Sequence, residues 1–280
     1  MTGTTGKVAL VTGASSGIGE AAARELRRRG YEVYAAARRA GRLAALTSEG
    51  IQAVEMDVTD SASAAAGVGQ VLERSGRIDV LVNNAGYGSY GALEDVDLDE
   101  ARYQFEVNVF GLARLIQLVV PQMRTRQSGR IINISSMGGK IYEPLGAWYH
   151  ATKFAVEGLS DSLRLELKPF GIDVIVVEPG AVRTEWADIA ADKLEQTSGS
   201  TAYADQARRV GSVLRSMGTN PRRATDPAVV GAVIARAADS TRPRTRYVTG
   251  YGARPLLTAR RMLPDRAFDQ VMLTAYRTAS

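Results

Sequence analysis

The chain has 280 residues, of which 45% are hydrophobic and 23% are charged, a balance typical of a globular protein with a sizeable core. It contains no cysteine and a single histidine, His150. This composition excludes disulfides, a cysteine nucleophile and a zinc site built by the protein, and we predict no metal. Acid–base chemistry must therefore come mainly from Tyr, Lys, Asp or Glu.

The net charge of +5 is distributed unevenly. Residues 201–280 contain 14 Arg and 5 acidic residues, a net of +9, whereas residues 1–200 contain 21 basic and 25 acidic residues, a net of −4. A basic segment raises nucleic acid, a membrane surface or an anionic ligand as partners. No apolar run approaches the roughly 18 residues of a membrane span. The N-terminal sequence lacks the pattern of a signal peptide, so we expect a cytoplasmic protein.

Short apolar strands alternate with longer helical patterns. Strands are predicted at 8–11, 32–36, 53–55, 80–82, 130–134, 173–177 and 247–249, and helices at 21–29, 61–75, 99–126, 147–168 and 226–238. Continuous apolar strands joined by helices predict an α/β Rossmann fold, a doubly wound parallel sheet of about seven strands with helices on both faces. Ligands of such a sheet bind at the carboxyl ends of its strands.

We predict one domain over residues 1–254, with a C-terminal helical extension of the same domain over 255–280. Apolar residues from Leu256 to Leu273 indicate short amphipathic helices in that extension. Residues 184–225 are polar and poorly patterned, which predicts an inserted, mobile loop that orders as a lid over a substrate.

A glycine-rich turn follows the first strand and opens the first helix. Gly13 permits a tight turn, Gly17 lets the backbone approach a pyrophosphate, and Gly19 lets the helix pack on the strand. The helix N-terminus adds free N–H groups and a positive dipole end. The alternative is a structural turn without a ligand. The turn residues predicted to bind a dinucleotide also include Ser15, Ser16 and Ile18.

The end of the second strand predicts which dinucleotide binds. An NAD site usually places Asp or Glu there, but this strand ends in alanines and continues into Arg38 and Arg39. Guanidinium groups suit a phosphate, so we predict NADP(H) with Arg38 on the 2′-phosphate. The alternative is that both arginines are solvated loop residues. Further predicted cofactor contacts are Asp57 and Val58 after the third strand and Asn84, Ala85 and Gly86 after the fourth.

Tyr149 and Lys153 lie four residues apart in a predicted helix, so their side chains share a face. A neighbouring ammonium favours the phenolate and is expected to lower the pKa of Tyr149. The pair would then supply a general acid and base to a chain that has almost no histidine.

Together the motifs resemble the short-chain dehydrogenase/reductase family, in its shorter one-domain form. The similarity runs from about residue 7 to 184 and more loosely to 249. The pieces that carry it are Thr-Gly-x3-Gly-x-Gly at 12–19, Asn-Asn-Ala-Gly at 83–86, Asn108, Ser136, Tyr-x3-Lys at 149–153 and Pro179-Gly180.

The resemblance implies a role for each matching residue. Tyr149 would exchange a proton with the substrate oxygen, and Ser136 would orient that oxygen. Lys153 would bind the nicotinamide ribose, and Asn108 would hold a water that links Lys153 to solvent. Pro179, Gly180 and Val182 would shape the nicotinamide pocket, with Thr184 on the carboxamide.

The resemblance also implies an oxidoreductase that interconverts a ketone or aldehyde with an alcohol, acting on CH–OH groups, and a homodimer or homotetramer. The chain is similar to bacterial 17β-hydroxysteroid and retinol dehydrogenase-like enzymes, which implies a bulky apolar substrate. One alternative is a non-enzymatic NADP-binding regulator on the same fold. Another is nucleic-acid binding by the basic segment, which is disfavoured because that segment lacks interleaved aromatic residues. His150 is expected to be structural or to lie at the pocket rim.

Overall fold

A seven-stranded parallel sheet forms the centre of the structure, a computed structural model in which residues 6–277 are described. Within these residues the strands are β1 Val8–Thr12, β2 Glu32–Ala37, β3 Gln52–Glu55, β4 Val80–Asn83, β5 Gly129–Ile134, β6 Ile172–Pro179 and β7 Arg246–Thr249. Their order is β3-β2-β1-β4-β5-β6-β7, and every neighbouring pair is parallel. The predicted Rossmann fold is confirmed, and the strand order reverses between β1 and β4, where such sheets bind ligands.

Helices cover both faces of this sheet. They are α1 Gly17–Arg28, α2 Ala44–Ser48, α3 Ser61–Ser75, α4 Leu98–Phe105, α5 Gly111–Thr125, α6 Ala147–Leu167, α7 Glu185–Ser198, α8 Ala204–Thr219, α9 Pro227–Asp239, α10 Ala253–Met262 and α11 Asp265–Arg277. None of these helices is long and apolar enough to cross a membrane. The outermost residues of the predicted domain and its extension, 1–5 and 278–280, lie outside the described part of the chain.

Two apolar layers hold the helices to the sheet. Alternate residues of β1 point to opposite sides, so that Val11 packs in a cluster with residues of α1 and α9, whereas Leu10 packs with residues of α3 and α5. All five residues of β1 are buried. Burial on both faces explains why the strand is continuously apolar instead of alternating.

A third apolar cluster joins the C-terminal helices to the end of the sheet. Leu194 of α7, Val210 of α8 and Phe268 of α11 are fully buried there together with Met137 and Tyr149. The prediction of a loop over 184–225 was wrong, because most of that segment forms α7 and α8; that it is mobile and orders as a lid stays a prediction. The C-terminal helices predicted after residue 255 are present and begin at Ala253.

Candidate active site

A cavity of about 240 Å³ lies at the carboxyl ends of the central strands. That volume is slightly below the range usual for small-molecule sites. Most of the residues predicted to bind cofactor or substrate line it: Gly13, Ser16, Gly17, Ile18, Asn84, Ala85, Gly86, Ser136, Tyr149, Lys153, Pro179, Gly180, Val182 and Thr184.

The glycine turn connects β1 directly to α1, which begins at Gly17, four residues earlier than predicted. Gly13 has a φ of +62°, and a Cβ atom there would lie 2.8 Å from the Cα atom of Ala85. A Cβ atom at Gly19 would lie 2.4 Å from the Gly13 carbonyl oxygen. The amide of Asn84 donates to that oxygen at 3.1 Å and so ties the β4 loop to the turn. The turn is therefore too closely packed for larger side chains.

Three predicted catalytic side chains meet where β5 ends and α6 begins. Ser136 follows β5 in extended conformation, and its hydroxyl accepts from the amide of Gly138 at 3.0 Å. Tyr149 and Lys153 lie one turn apart on α6, with the Lys153 Nζ atom 5.9 Å from the centre of the Tyr149 ring. Lys153 donates to the carbonyl oxygen of Ile134 at 3.0 Å, which fixes its ammonium at the end of β5.

Burial controls the protonation of these groups. It raises the pKa of Tyr149 above its ordinary value, a hydrogen bond with Ser136 opposes the rise, and the charge of Glu143 adds to it. The prediction that Lys153 lowers this pKa was therefore wrong for the protein without cofactor. Burial also lowers the pKa of Lys153 itself to about 8, although the charge of Glu157 opposes this change. Burial thus favours the neutral phenol of Tyr149, whereas Lys153, with a pKa of about 8, still carries its positive charge at neutral pH.

Asn108 lies in a π-helical turn, Glu106–Phe110, that interrupts the predicted long helix between α4 and α5. Such turns are frequent at functional sites. The amide of Asn108 donates to the Tyr87 carbonyl oxygen at 2.9 Å and to the Thr152 hydroxyl at 3.0 Å, and its oxygen accepts from the Tyr87 amide at 3.0 Å. Its side chain therefore connects the β4 loop to α6, and it lies behind the cavity wall.

Six predicted cofactor residues lie outside the cavity lining. They are Ser15, Gly19, Arg38, Arg39, Asp57 and Val58. Arg38 follows β2, is exposed, and donates to the hydroxyl of Tyr103 at 3.0 Å. The Asp57 carboxylate accepts from the amide and hydroxyl of Thr59 at 2.9 and 2.7 Å.

The segment after β6 covers the cavity. Thr184 caps α7 and lies against the glycine turn, since a Cβ atom at Gly17 would come within 2.8 Å of its Cγ2 atom. Trp186 packs with its ring centre 5.0 Å from that of Tyr149. Arg42, in the turn after β2, donates to both carboxylate oxygens of Glu185 at 2.8 and 3.0 Å. This ion pair joins the turn after β2 to the start of α7, and the role of this segment as a lid stays a prediction.

His150, expected to be structural or to lie at the pocket rim, lines the cavity, and both of its ring nitrogens have backbone partners. Its Nδ1 atom lies 2.8 Å from the Gly138 carbonyl oxygen, and its Nε2 atom accepts from the backbone amide of Glu143 at 3.0 Å. These two contacts require the neutral ring with its proton on Nδ1. The Glu143 side chain itself lines the cavity and was missed by sequence reasoning.

A buried ionic cluster beneath the site was also missed. Glu157 of α6 and Glu178 of β6 are 5% and 1% exposed. Arg246 of β7 lies 2.9 Å from Glu157 and 3.3 Å from Glu178, and Lys140 lies 3.3 and 3.7 Å from them. Burial, with the charge of Glu157, raises the pKa of Glu178 to about 7. No local pattern marks these positions, because their burial depends on contacts between distant segments.

Comparison with known proteins agrees with the family that the sequence motifs predict. Residues 7–195 match the family model described as short chain dehydrogenase. The 3-ketodihydrosphingosine reductase of Bacteroides thetaiotaomicron is 36% identical over 274 residues, which cover 96% of this chain and 98% of that protein.

Solved structures share this fold, and different structures contain different nicotinamide cofactors. A short-chain dehydrogenase from Streptomyces avermitilis has a TM-score of 0.79 at 36% identity and covers 98% of this chain and 97% of its own. A metagenomic short-chain oxidoreductase in complex with NADP has a TM-score of 0.68 at 30% identity, covering 87% and 96%. A short chain dehydrogenase/reductase from Burkholderia phymatum in complex with NAD has a TM-score of 0.77 at 26% identity, covering 94% of each chain.

Proposed function

The chain belongs to the short-chain dehydrogenase family, and we propose that it is an NADP(H)-dependent oxidoreductase that interconverts a ketone or aldehyde with the corresponding alcohol. One observation carries the proposal. The Tyr149 phenol, the Ser136 hydroxyl and the Lys153 ammonium line a single cavity that continues to the glycine turn after β1. Such a cavity can hold a reacting carbonyl group beside a dinucleotide.

Each side chain has a defined task in this reaction. The bound dinucleotide supplies or accepts the hydride. Tyr149 is neutral in the structure and can donate its proton to the carbonyl oxygen as that oxygen gains charge. Ser136 holds the same oxygen in place. Lys153 binds the ribose hydroxyls and provides a positive charge that favours the phenolate left on Tyr149. Asn108 fixes the wall behind Lys153 through its hydrogen bonds to Tyr87 and Thr152. That Asn108 holds a water molecule there stays a prediction.

The preference for NADP(H) follows from the rim after β2. Arg38 and Arg39 succeed the last strand residue, Ala37, and no carboxylate occupies the position that would bind a ribose 2′-hydroxyl. The exposed Arg38 guanidinium can meet a 2′-phosphate. Solved relatives contain NADP or NAD. The choice of NADP(H) for this chain therefore rests on its own arginines, Arg38 and Arg39.

The cavity walls favour a bulky apolar substrate. Opposite the glycine turn the lining is formed by Tyr90, Met137, Trp186, Ile189, Leu214 and Met217. The substrate named for the Bacteroides relative, 3-ketodihydrosphingosine, is a long-chain amino ketone, and a chain of that kind suits these walls. The similarity to hydroxysteroid and retinol dehydrogenases stays a prediction, as does the cytoplasmic location.

Turnover and cofactor binding separate this proposal from a non-enzymatic regulator. NADPH consumption is measured with long-chain, steroid, retinoid and aromatic carbonyl compounds. We expect Tyr149→Phe to lower turnover by about 100-fold or more while NADPH binding is retained. Tyr251→Phe, at a side chain on the exposed surface, is the matched control. NADPH binding without turnover of any carbonyl compound by the wild type would favour the regulator, and unchanged turnover in Tyr149→Phe would refute the general-acid role.

The cofactor assignment has its own test. We expect Arg38→Asp to weaken NADPH binding and to improve NADH binding, because the new carboxylate repels a 2′-phosphate and accepts from a 2′-hydroxyl. Arg261→Asp removes an exposed guanidinium from the end of α10 and serves as the control for charge. Equal affinities of the wild type for NADPH and NADH would contradict the assignment.

We also propose that the protein is a homodimer or homotetramer. Phe110, Phe154 and Leu165 are 54%, 47% and 69% exposed in or beside α5 and α6. Apolar side chains of this size on neighbouring helices are typical of a surface that a second copy covers. Light scattering of the wild type and of Phe154→Glu tests this, and a monomeric wild type would refute it.

A further inference from the structure

Glu143 places a carboxylate in the apolar half of the cavity. Its side chain is 9% exposed and lines the cavity beside Tyr90, Met137 and Trp186. The hydroxyl of Tyr90 donates to its Oε2 atom at 3.1 Å, and the hydroxyl of Tyr276 in α11 is a second donor. The carboxylate is thus held by two phenols from distant parts of the chain, which fixes its position.

The carboxylate also lies beside the reacting group. The Tyr90 ring that holds it is centred 5.8 Å from the Tyr149 ring. The His150 ring accepts a hydrogen bond from the backbone amide of Glu143, and its centre lies 5.6 Å from that of the Tyr149 ring. Tyr149 and Glu143 line the same cavity, so a substrate whose carbonyl oxygen meets Tyr149 can place a neighbouring group at Glu143.

Glu143 lacks a cationic partner of its own. In the described part of the chain, the one basic nitrogen within ion-pair distance is His150 Nε2, at 4.0 Å. That nitrogen already accepts the Glu143 amide proton, so the ring is neutral and offers no compensating charge. A desolvated carboxylate without a counter-ion is costly to a protein. A bound cation would offset this cost.

From this arrangement we propose that Glu143 is a specificity-determining residue that selects carbonyl substrates bearing an ammonium group close to the reacting carbon. The apolar walls take the rest of the molecule, and Tyr90 and Tyr276 keep the carboxylate in place. The inference rests on the proposed function, since it concerns the substrate of the same site. It agrees with the amino ketone in the name of the Bacteroides relative, but it is argued from the side chains of this cavity.

A purely structural role for Glu143 makes a different prediction. If the carboxylate only anchored Tyr90 and Tyr276, its removal would loosen the cavity and impair all substrates alike. If it binds an ammonium group, its removal impairs only substrates that carry one. Paired ligands that differ in the amine alone therefore separate the two roles.

The experiment compares wild type and Glu143→Gln with two long-chain ketones, one carrying an α-amino group and one without it. In the wild type we expect the amino ketone to be preferred. In Glu143→Gln we expect its kcat/KM to fall by about 10- to 100-fold, mainly through KM, because a charge-assisted contact is lost. The neutral ketone should change less than about threefold. Glu166→Gln removes an exposed carboxylate from α6 and is the matched control, in which the preference should persist.

Binding provides a readout that does not depend on turnover. The corresponding amino alcohol and alcohol are titrated by calorimetry into the complex of each protein with NADPH. Tighter binding of the amino alcohol by the wild type, lost in Glu143→Gln, supports the carboxylate even if neither ketone is reduced, and then only the proposed reaction fails. Equal binding of the two alcohols by the wild type, or an equal loss for both ligands in Glu143→Gln, overturns the inference.

Discussion

Replacing Glu178 by glutamine should remove a pH dependence of stability that this residue builds into the fold. The carboxyl group is 1% exposed on β6 and shares its surroundings with Glu157, Arg246 and Lys140. Burial and the charge of Glu157 raise its pKa from 4.5 to about 7. The charges of Lys140 and Arg246, 3.7 and 3.3 Å away, lower this pKa by less than burial and Glu157 raise it.

The size and sign of the effect follow from proton linkage. Between pH 4.5 and 7 the native state holds a proton that the unfolded state has lost, so the free energy of unfolding falls as the pH rises. A difference of about 2.5 pKa units corresponds to a loss on the order of 3 kcal/mol. Two other perturbed groups change the stability outside this pH range. Asp161, whose pKa is lowered to about 2, does so below it. Lys153, whose pKa is lowered to about 8, does so above it.

Urea unfolding at pH 5, 6, 7 and 8 measures this loss. We expect the wild type to lose stability through this range and Glu178→Gln to lose much less, since an amide does not ionise. Glu166→Gln removes an exposed carboxylate from α6 and is the matched control, with a wild-type slope. If Glu178→Gln and the wild type show the same slope, the carboxyl group is already ionised at pH 5 and the reasoning is refuted.

Three further changes test the glycine turn, the C-terminal helices and the lid. Gly19→Ala should weaken NADPH binding by about 10-fold or more, because its Cβ atom would lie 2.4 Å from a backbone oxygen. A Cβ atom at Gly69 meets nothing within 4 Å, so the control Gly69→Ala should leave binding unchanged. Equal affinities of the two variants for NADPH by calorimetry would contradict this. Phe268→Ala should lower the free energy of unfolding by about 3–5 kcal/mol, since the ring is fully buried; a loss below about 1 kcal/mol in urea would show that α11 is not part of the core. Arg42→Ala removes the ion pair with Glu185, so that α7 is held less firmly over the cavity and NADPH should dissociate faster. Because an exposed ion pair contributes at most about 1 kcal/mol, we expect an increase of about 2- to 5-fold in stopped-flow measurements. An unchanged rate would show that the pair does not hold the lid.

The sheet could be predicted from sequence because its central strands are buried on both faces. A run such as Val8-Ala9-Leu10-Val11 predicts a central parallel strand by itself. The lid helices were missed because α7 buries small residues, Ala187, Ala190 and Ala191. Their spacing, continued by Leu194, is helical and could have been recognised had alanine been counted as apolar.

The site was predictable only in part, for a different reason. Motif spacing placed Tyr149 and Lys153 on one face of a helix, and the structure confirms that placement. The direction of the pKa change in Tyr149 was wrong, because burial depends on Trp186 and other distant residues that pack around the ring. Glu143 and Glu178 carry no local pattern at all, since their surroundings come from segments far apart in the chain.

The contact between Trp186 of α7 and Tyr149 gives the protein an optical reporter. Of the two tryptophans in the chain, Trp186 lies 5.0 Å from the Tyr149 ring, whereas Trp148 packs edge-on against Phe105 at 6.3 Å. A Trp148→Phe protein would retain a single indole, packed next to Tyr149. Reduced nicotinamide absorbs where indole emits, so energy transfer from Trp186 would follow cofactor occupancy, and its emission wavelength would follow the entry of water as the lid opens.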